Sequence, residues 1–268
     1  MELNAIVSQK IEVTPELIIL RVIPKEGTLP DFKPGQFATL GLTGSAARIQ
    51  FSDPESNIPD PDKLIRRAYS IASSSVNKEY IEFYITIVHS GALTPRLFTL
   101  QPGDHIFLGP KITGMFTLDM IDPAVNIIML STGTGLAPYM SMLRTQLICG
   151  GPRQFAIIHG ARHSWDLGYR SELITLANMC SNFTYIPVIS RANQELLPWG
   201  GQQGYIQDVW EKHNFSKDWG VPVSPENTHV FLCGNPSMID DMVAILQAQD
   251  FSEHTRRHPG TIHLERYW

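Results

Sequence analysis

The sequence predicts two domains: a small antiparallel β barrel or sandwich, then a doubly wound α/β domain built on a parallel sheet. Three observations predict it. The chain has 268 residues, which suits two cores better than one. Its first part reads as short strands broken by Gly and Pro. From about Asp122 onward, continuous apolar runs alternate with segments of helical period, the pattern of a sheet covered on both faces. Right-handed crossovers would make that sheet doubly wound. The division is 1–120 and 121–268, with the seam in DMIDPAV, 119–125.

The first half offers strands at 4–13, 17–24, 36–42, 67–73, 79–88 and 104–108. Between the third and fourth, residues 43–64 are polar and proline-rich and read as a long loop. Loops of that length are usually functional or disordered. In the second half NIIMLS, 126–131, is a strand-length apolar run. Leu136, Met140, Leu143 and Leu147 then recur at helical spacing over 136–148. Strand 155–160 and helix 171–180 follow, then strand 183–190 and a helix near 206–213. Strand 229–234, helix 237–248 and a last strand at 261–266 close the chain.

Composition excludes several classes. A net charge of −5 with interspersed signs disfavours a nucleic-acid binder. No apolar run spans a bilayer, and the N-terminus lacks a basic region followed by an apolar one, so a cytoplasmic location without membrane attachment is expected. The three cysteines, Cys149, Cys180 and Cys233, form no CxxC pair, which argues against a zinc ribbon or an iron–sulfur cluster. Cys149 and Cys180 are expected to be reduced buried thiols. No G-x-S-x-G or H-E-x-x-H occurs, so hydrolase chemistry has no support and no metal site is expected.

Ligands of open α/β sheets bind beyond the carboxyl ends of the strands. STGTGLAP, 131–138, follows the first parallel strand. Its small residues Gly133, Thr134 and Gly135 permit a tight turn, and the next helix offers N–H groups to an anion. Pro138 suits a first helical turn. It is neither a Walker A loop nor GxGxxG. Arg162 and Arg191 end the next two strands, where arginine accommodates a ribose 2′-phosphate. CGNP, 233–236, ends the fourth, placing Cys233 and Gly234 at its carboxyl end, with Asn235 suited to cap a helix and Pro236 to begin it.

In the first half RRAYSIASS, 66–74, puts a charged fork and an aromatic plate into a strand. Arg67 and Tyr69 share one face, so a ring stacked on Tyr69 could have its anionic tail held by Arg67, with Ser70 at the ring edge. HSGALTPRLF, 89–98, is a second anion candidate, Thr94 capping a short helix begun at Pro95. Together the two segments suggest a cradle for a flavin dinucleotide.

In order, RAYS, GALTPRL, STGTGLAP and CGNPSM resemble the ferredoxin–NADP⁺ reductase family over nearly the whole chain. The closing RRHPGTIHLERYW resembles the bacterial ferredoxin/flavodoxin–NADP⁺ reductases in particular. The resemblance implies an FAD-binding antiparallel β-barrel and an NADP-binding α/β domain. Arg67 and Ala68 would then lie on the FAD strand, Tyr69 would stack on the isoalloxazine, and Ser70 would lie near its reactive nitrogen. The backbone of Ala92, Leu93 and Thr94 would complete the phosphate site. Gly133, Thr134 and Gly135 would line the nicotinamide side, with Cys233 and Gly234 close to the hydride path. Trp268 would pack on the adenine, the C-terminal tail returning to the flavin. Ser70, Cys233 and Tyr69 are thus the catalytic candidates. The implied activity moves a hydride between NADPH and FAD and single electrons between FAD and ferredoxin or flavodoxin, in a monomer. Lys63, Arg66, Lys111, Arg144, Arg256 and Arg257 are candidates for a basic rim toward such acidic carriers.

Two features depart from the family pattern. Gly204-Tyr205-Ile206 stands where Gly-Arg is common, which weakens the 2′-phosphate site and admits NADH. The 43–64 insertion precedes RAYS and could pack near the flavin's edge. The rival readings are an NADH-dependent reductase feeding an oxygenase and a non-catalytic flavin-binding redox sensor.

Overall fold

The computed structural model describes residues 2–266. Two compact units emerge. The first takes the chain up to Leu118 together with Ala137–Thr145; the second takes Asp119–Leu136 and the chain from Gln146 onward.

The first unit is built on a six-stranded antiparallel sheet. Its strands are β1 (Ala5–Thr14), β2 (Leu17–Pro24), β3 (Phe37–Thr43), β4 (Leu64–Ser70), β5 (Ile81–Thr86) and β6 (His105–Leu108), in the order β4-β3-β6-β1-β2-β5. The edges β4 and β5 are brought together past the end of β4 by an Ile71–Phe83 bridge and by the Ala72 N–H donating to the Glu82 carbonyl at 2.8 Å. This joins the two edges that an open sheet would leave unpaired. Ile18, Leu20, Leu40, Ile71, Phe83 and Ile85 fill the interior. A single turn of helix, α1 (Thr94–Leu97), lies between β5 and β6. Strand 4 begins three residues earlier than the sequence predicts, at Leu64 rather than Arg67. Register decides it: β3 and β4 pair continuously from Thr43–Leu64 to Phe37–Ser70, so the ends of the 43–64 segment are strand.

The second unit holds a six-stranded parallel sheet. Its strands are β7 (Asn126–Thr132), β8 (Phe155–Ala161), β9 (Phe183–Ile189), β10 (Gln202–Gln203), β11 (Thr228–Cys233) and β12 (Ile262–Glu265). The order β10-β9-β8-β7-β11-β12 reverses direction between β7 and β11, and that reversal is where such sheets bind ligands. The remaining helices are α2 (Ala137–Gln146), α3 (Arg170–Met179), α4 (Ile206–Lys212), α5 (Phe215–Trp219) and α6 (Pro236–Gln247). Helix α6 starts as its sequence dictates. The Asn235 side chain accepts from the N–H of Ser237 at 2.9 Å, and Pro236 occupies the first helical position. Its buried stripe, Met238, Ile239, Met242 and Leu246, faces the core, each such side chain contributing about 1.5–3 kcal/mol.

The structure departs from expectation elsewhere too. Helix α2 ends at Gln146, not 148, and a 3-10 turn over Gly133–Leu136 precedes it. The two-residue β10 and the five-residue α5 are too short to leave a periodic signal. Cys149 and Cys180 are not reduced thiols but a disulfide, with Cα atoms 4.4 Å apart. Asn182 makes this closure: it accepts from the Gly150 N–H and donates to the carbonyls of Ile148 and Arg153. Cys233 is free and buried. Among the described residues no helix is long and apolar enough to cross a membrane.

Arg144 is not part of a surface rim. On α2 it donates to Glu82 at 2.6 Å and to the carbonyl of Ala72 at 2.9 Å, while Arg21 reaches Glu82 from the other side at 2.7 Å. The Glu82 side chain is 0 % exposed, whereas the arginines keep 26 % and 19 %. Breaking a buried pair typically costs 3–5 kcal/mol, and these arginines can partly rehydrate. Glu82→Gln should therefore destabilise the chain by about 3 kcal/mol in urea unfolding.

Candidate functional site

In the first unit the candidate residues lie on β4 and in the turn leading into α1. Arg67 and Ala68 are exposed, Tyr69 is half-buried and Ser70 is buried. Alternation puts Arg67 and Tyr69 on one face. Tyr69 packs one side of its ring on the barrel core. Burial pushes its phenol well above the usual range and Arg67 pulls it back in part, so it stays a protonated donor. Arg67 donates to the Arg66 carbonyl at 2.8 Å, and Lys63, Arg66 and Lys111 are exposed.

Thr94 does not cap α1. Leu93 stands at that position, and no side chain caps it. The Thr94 hydroxyl instead bonds back to Val88, six positions earlier, accepting from its N–H at 3.0 Å and donating to its carbonyl at 3.2 Å. The first intrahelical bonds are donated by Arg96 and Leu97, both to Leu93. Ala92, Leu93 and Thr94 thus stand at the head of the turn, where intrahelical acceptors are lacking. Behind them Arg96 and Glu55 form a two-pronged pair at 2.8 and 3.0 Å. Glu55, Arg48 and Arg96 were not among the sequence candidates. Arg48 and Glu55 are two of several charged residues in a long polar insertion, and Arg96 lies in the GALTPRL segment.

In the second unit the turns after β7 and β11 lie side by side. Cys233 pairs with Ser131 in register, and the Asn235 N–H donates to the Thr132 hydroxyl at 2.7 Å. A side chain on Gly135 would overlap the carbonyl of Cys233, and one on Gly234, whose φ is +135°, would overlap Thr132. Gly133, at φ +53°, has open space where a Cβ would stand. Gly133 and Thr134 are half-exposed, whereas Gly135 and Cys233 are buried. The two turns are thus packed backbone to backbone.

Arg162 and Arg191 follow the adjacent strands β8 and β9 and are both exposed. The Arg191 N–H donates to the Arg162 carbonyl at 2.9 Å, so their backbones are joined. Farther along these two loops His163 meets Gln194 at 3.0 Å, and Ser164 donates its N–H and hydroxyl to Glu195 at 2.8 and 2.5 Å. The Ser164 hydroxyl, first among several donors and charges, holds the Glu195 carboxyl below the usual range. Tyr205 is exposed at the head of α4, its N–H bonded to Asp208 at 2.9 Å. Arg256 and Arg257 are exposed, and Trp268 lies outside the described residues. Among the described residues no group of three or more His, Cys, Asp or Glu could hold a metal.

Beneath the first turn His159, fully buried on β8, meets the Tyr185 hydroxyl at 3.2 Å. Burial pulls its imidazole down to about 3, a backbone hydrogen bond toward Gly133 opposing this only in part.

The family model described as "Oxidoreductase FAD-binding domain" matches residues 53–116, and that described as "Oxidoreductase NAD-binding domain" matches residues 129–244. The chain is 32% identical to a flavodoxin/ferredoxin–NADP reductase of Escherichia coli over 88% of each protein. It is 33% identical to a protein of the same description from Buchnera aphidicola over 77% of this chain and 82% of that one. A crystal structure of a ferredoxin NADP⁺ reductase from Neisseria gonorrhoeae, with bound FAD and NADP, superposes with a TM-score of 0.80. That match has 25% identity and covers 99% of this chain and 98% of the other.

The buried neutral His159 carries a pH consequence. The unfolded chain takes up a proton near pH 6.5 and the folded chain only near 3, so its stabilising share is complete above about 6.5. It is lost as pH falls toward 3, with a slope approaching 1.4 kcal/mol per pH unit, roughly, for one such histidine. Urea unfolding from pH 7 to 4.5 should show that slope reduced in His159→Leu.

Proposed function

The chain belongs to the flavodoxin/ferredoxin–NADP reductase family, and on that premise we propose that it passes a hydride from NADPH to FAD and single electrons onward to a ferredoxin or flavodoxin. It is an oxidoreductase with an FAD-binding and an NAD(P)-binding domain. The observation that carries the reading is the pairing of two glycine-floored turns, after β7 and β11, at the reversal of the parallel sheet.

The residues present fit both cofactors. Arg67 supplies an exposed guanidinium, Tyr69 a flat donor-bearing ring on the same face, and the 92–94 turn a set of amides suited to pyrophosphate. In the second unit Gly133 leaves open space that a Cβ would enter, while Gly135 and Gly234 let the two turns close on each other. Bound FAD would supply the two-electron and one-electron chemistry; the protein supplies binding, orientation and electrostatics.

Each candidate then takes a specific task. Arg67, with Ala68 beside it, holds the pyrophosphate together with the amides of Ala92, Leu93 and Thr94. Tyr69 supports the flavin ring, and the buried Ser70 lies at its edge. Thr134 lines the nicotinamide groove, and Cys233, beneath it, keeps that groove dry and close-packed. Trp268 is proposed to cover the adenine. No side chain is required to move a proton at the hydride step. Of the proposed basic rim, Lys63, Arg66, Lys111, Arg256 and Arg257 remain, all exposed. We propose that they meet the acidic carrier, in a monomeric cytoplasmic protein.

A second reading concerns the nicotinamide alone. Arg162 and Arg191 favour a 2′-phosphate. Tyr205 supplies no third cation, and the ionised Glu195 on the neighbouring loop opposes a 2′-phosphate. Both observations favour acceptance of NADH as well.

Anaerobic titration of the flavin absorbance with each nucleotide tests the reading. Bleaching by NADPH at lower concentration than by NADH is expected, and a flavin that neither bleaches would sink the proposal. Tyr205→Arg keeps the backbone cap of α4 and adds a cation. It should lower the KM for NADPH about tenfold and leave that for NADH within about twofold; an unchanged ratio would mean that the 2′ position does not reach Tyr205.

A further inference from the structure

The family reading gives no task to the insertion between β3 and β4. The segment is well tied. Ser45 donates to the Pro61 carbonyl, Ile49 to that of Pro95 and Asp53 to that of His89, at 3.0 to 3.1 Å. Ala46 and Ile49 pack on the barrel core. Apart from ties within the segment and one from the Thr99 hydroxyl to the Ala47 carbonyl, its ties lead to the loop 89–96.

Two guanidinium groups make most of them. Arg96, 2 % exposed, donates to the Ala92 carbonyl at 2.6 Å and to the Gly44 carbonyl at 2.8 Å, besides gripping both oxygens of Glu55. Arg48, from the insertion, donates to the Gly91 carbonyl at 2.9 Å and to the Asp53 carbonyl at 2.7 Å. Its guanidinium also lies 3.2 Å from Glu55. One carboxylate thus holds the two cations in place behind the loop.

The geometry of the peptide turns this into a statement about the other side of the loop. Each peptide unit is planar and trans, so its C=O and N–H point opposite ways. A cation that holds the Gly91 carbonyl fixes the Ala92 N–H pointing away from it. A cation that holds the Ala92 carbonyl does the same for the Leu93 N–H. Two arginines and one glutamate also leave a surplus positive charge behind these amides, the sign an anion in front of them requires.

We infer that the insertion is a clamp on the pyrophosphate loop, with Glu55 the positioning residue that holds Arg96 and Arg48 on the carbonyls of Ala92 and Gly91. The inference rests on the FAD reading and adds to it. Without Glu55, Arg96 would be a buried cation lacking its counter-charge, and its hold on Ala92 would give way before the barrel did. The Thr94 hydroxyl secures the other end of the loop on Val88 and does not depend on Glu55.

The test uses the full-length flavin-loaded protein and its Glu55→Gln variant. FAD release on dilution is followed by recovery of flavin fluorescence, and phosphorus NMR follows the pyrophosphate of the FAD still bound. The clamp requires FAD affinity about tenfold weaker in the variant, the scale of one charge-assisted contact. It also requires displaced phosphorus resonances and an unchanged isoalloxazine absorption spectrum. A pair that only stabilises the fold would lower the unfolding midpoint and leave those resonances in place. Unmoved resonances, or an affinity within about twofold of the parent, overturn the inference. If Glu55→Gln does not accumulate in folded form, Arg48→Gln is read by the same criteria, because it frees the Gly91 carbonyl while the Arg96–Glu55 pair stays. A parent protein that holds no FAD overturns the flavin reading itself; a parent that holds FAD and variants that match it overturn the clamp alone.

Discussion

The proposed nicotinamide site depends on how closely two backbone turns can approach. Strands β7 and β11 are neighbours in register, and the chain leaves them toward opposite sides of the sheet. The turn at Gly135 comes against the carbonyl of Cys233, and the turn at Gly234 against Thr132. Neither approach tolerates a Cβ. The Thr132 hydroxyl then takes the N–H of Asn235, whose own side chain caps α6. Sheet order, turn and helix start are therefore linked by contacts among a handful of small residues. A larger side chain at either glycine would force the strands or the turns apart.

This explains why so much of the second unit was legible. A strand ending in small residues, then a capping residue and a proline, is a local signal, and STGTGLAP and CGNP carry it within eight residues and four. The alternation of apolar runs and helical stripes is local too, and it placed β7, β8, β9 and β11 to within a residue or two. The same holds for RAYS on its strand. What escaped is joined across long separations. Glu55 and Arg96 are 41 residues apart, Glu82 and Arg144 are 62 apart, and Cys149 and Cys180 are 31 apart. No window of sequence shows which cation will find which carboxylate. Thr94 failed for a different reason. Its hydroxyl had two local uses, capping α1 or closing on Val88, and the loop geometry favoured the second.

Burial sorts the arginines in a way that composition alone does not. Arg96 and Arg144 spend their hydrogen bonds on carbonyls and on one carboxylate each. They hold the frame. Arg67, Arg162 and Arg191 are exposed on the strands and loops that border the proposed sites. An exposed guanidinium presents a planar fork to phosphate at little desolvation cost, whereas a buried one must bring its counter-charge with it. The expectation that Arg144 faced a partner protein failed on this distinction, because sequence gives the charge but not its depth.

The two units hold their proposed cofactor-binding turns in shape by opposite means. In the second, two turns come close to each other because Gly135 and Gly234 carry no side chain. In the first, the loop 91–94 has one glycine and three residues with side chains, and Arg48 and Arg96 hold its Gly91 and Ala92 carbonyls from behind. A glycine turn depends on few partners and fails abruptly when filled. A clamped loop depends on charges distant in sequence and loosens in steps as each is removed. Tolerance to substitution should therefore differ between the two sites, being abrupt at Gly135 and Gly234 and graded at Arg48 and Glu55.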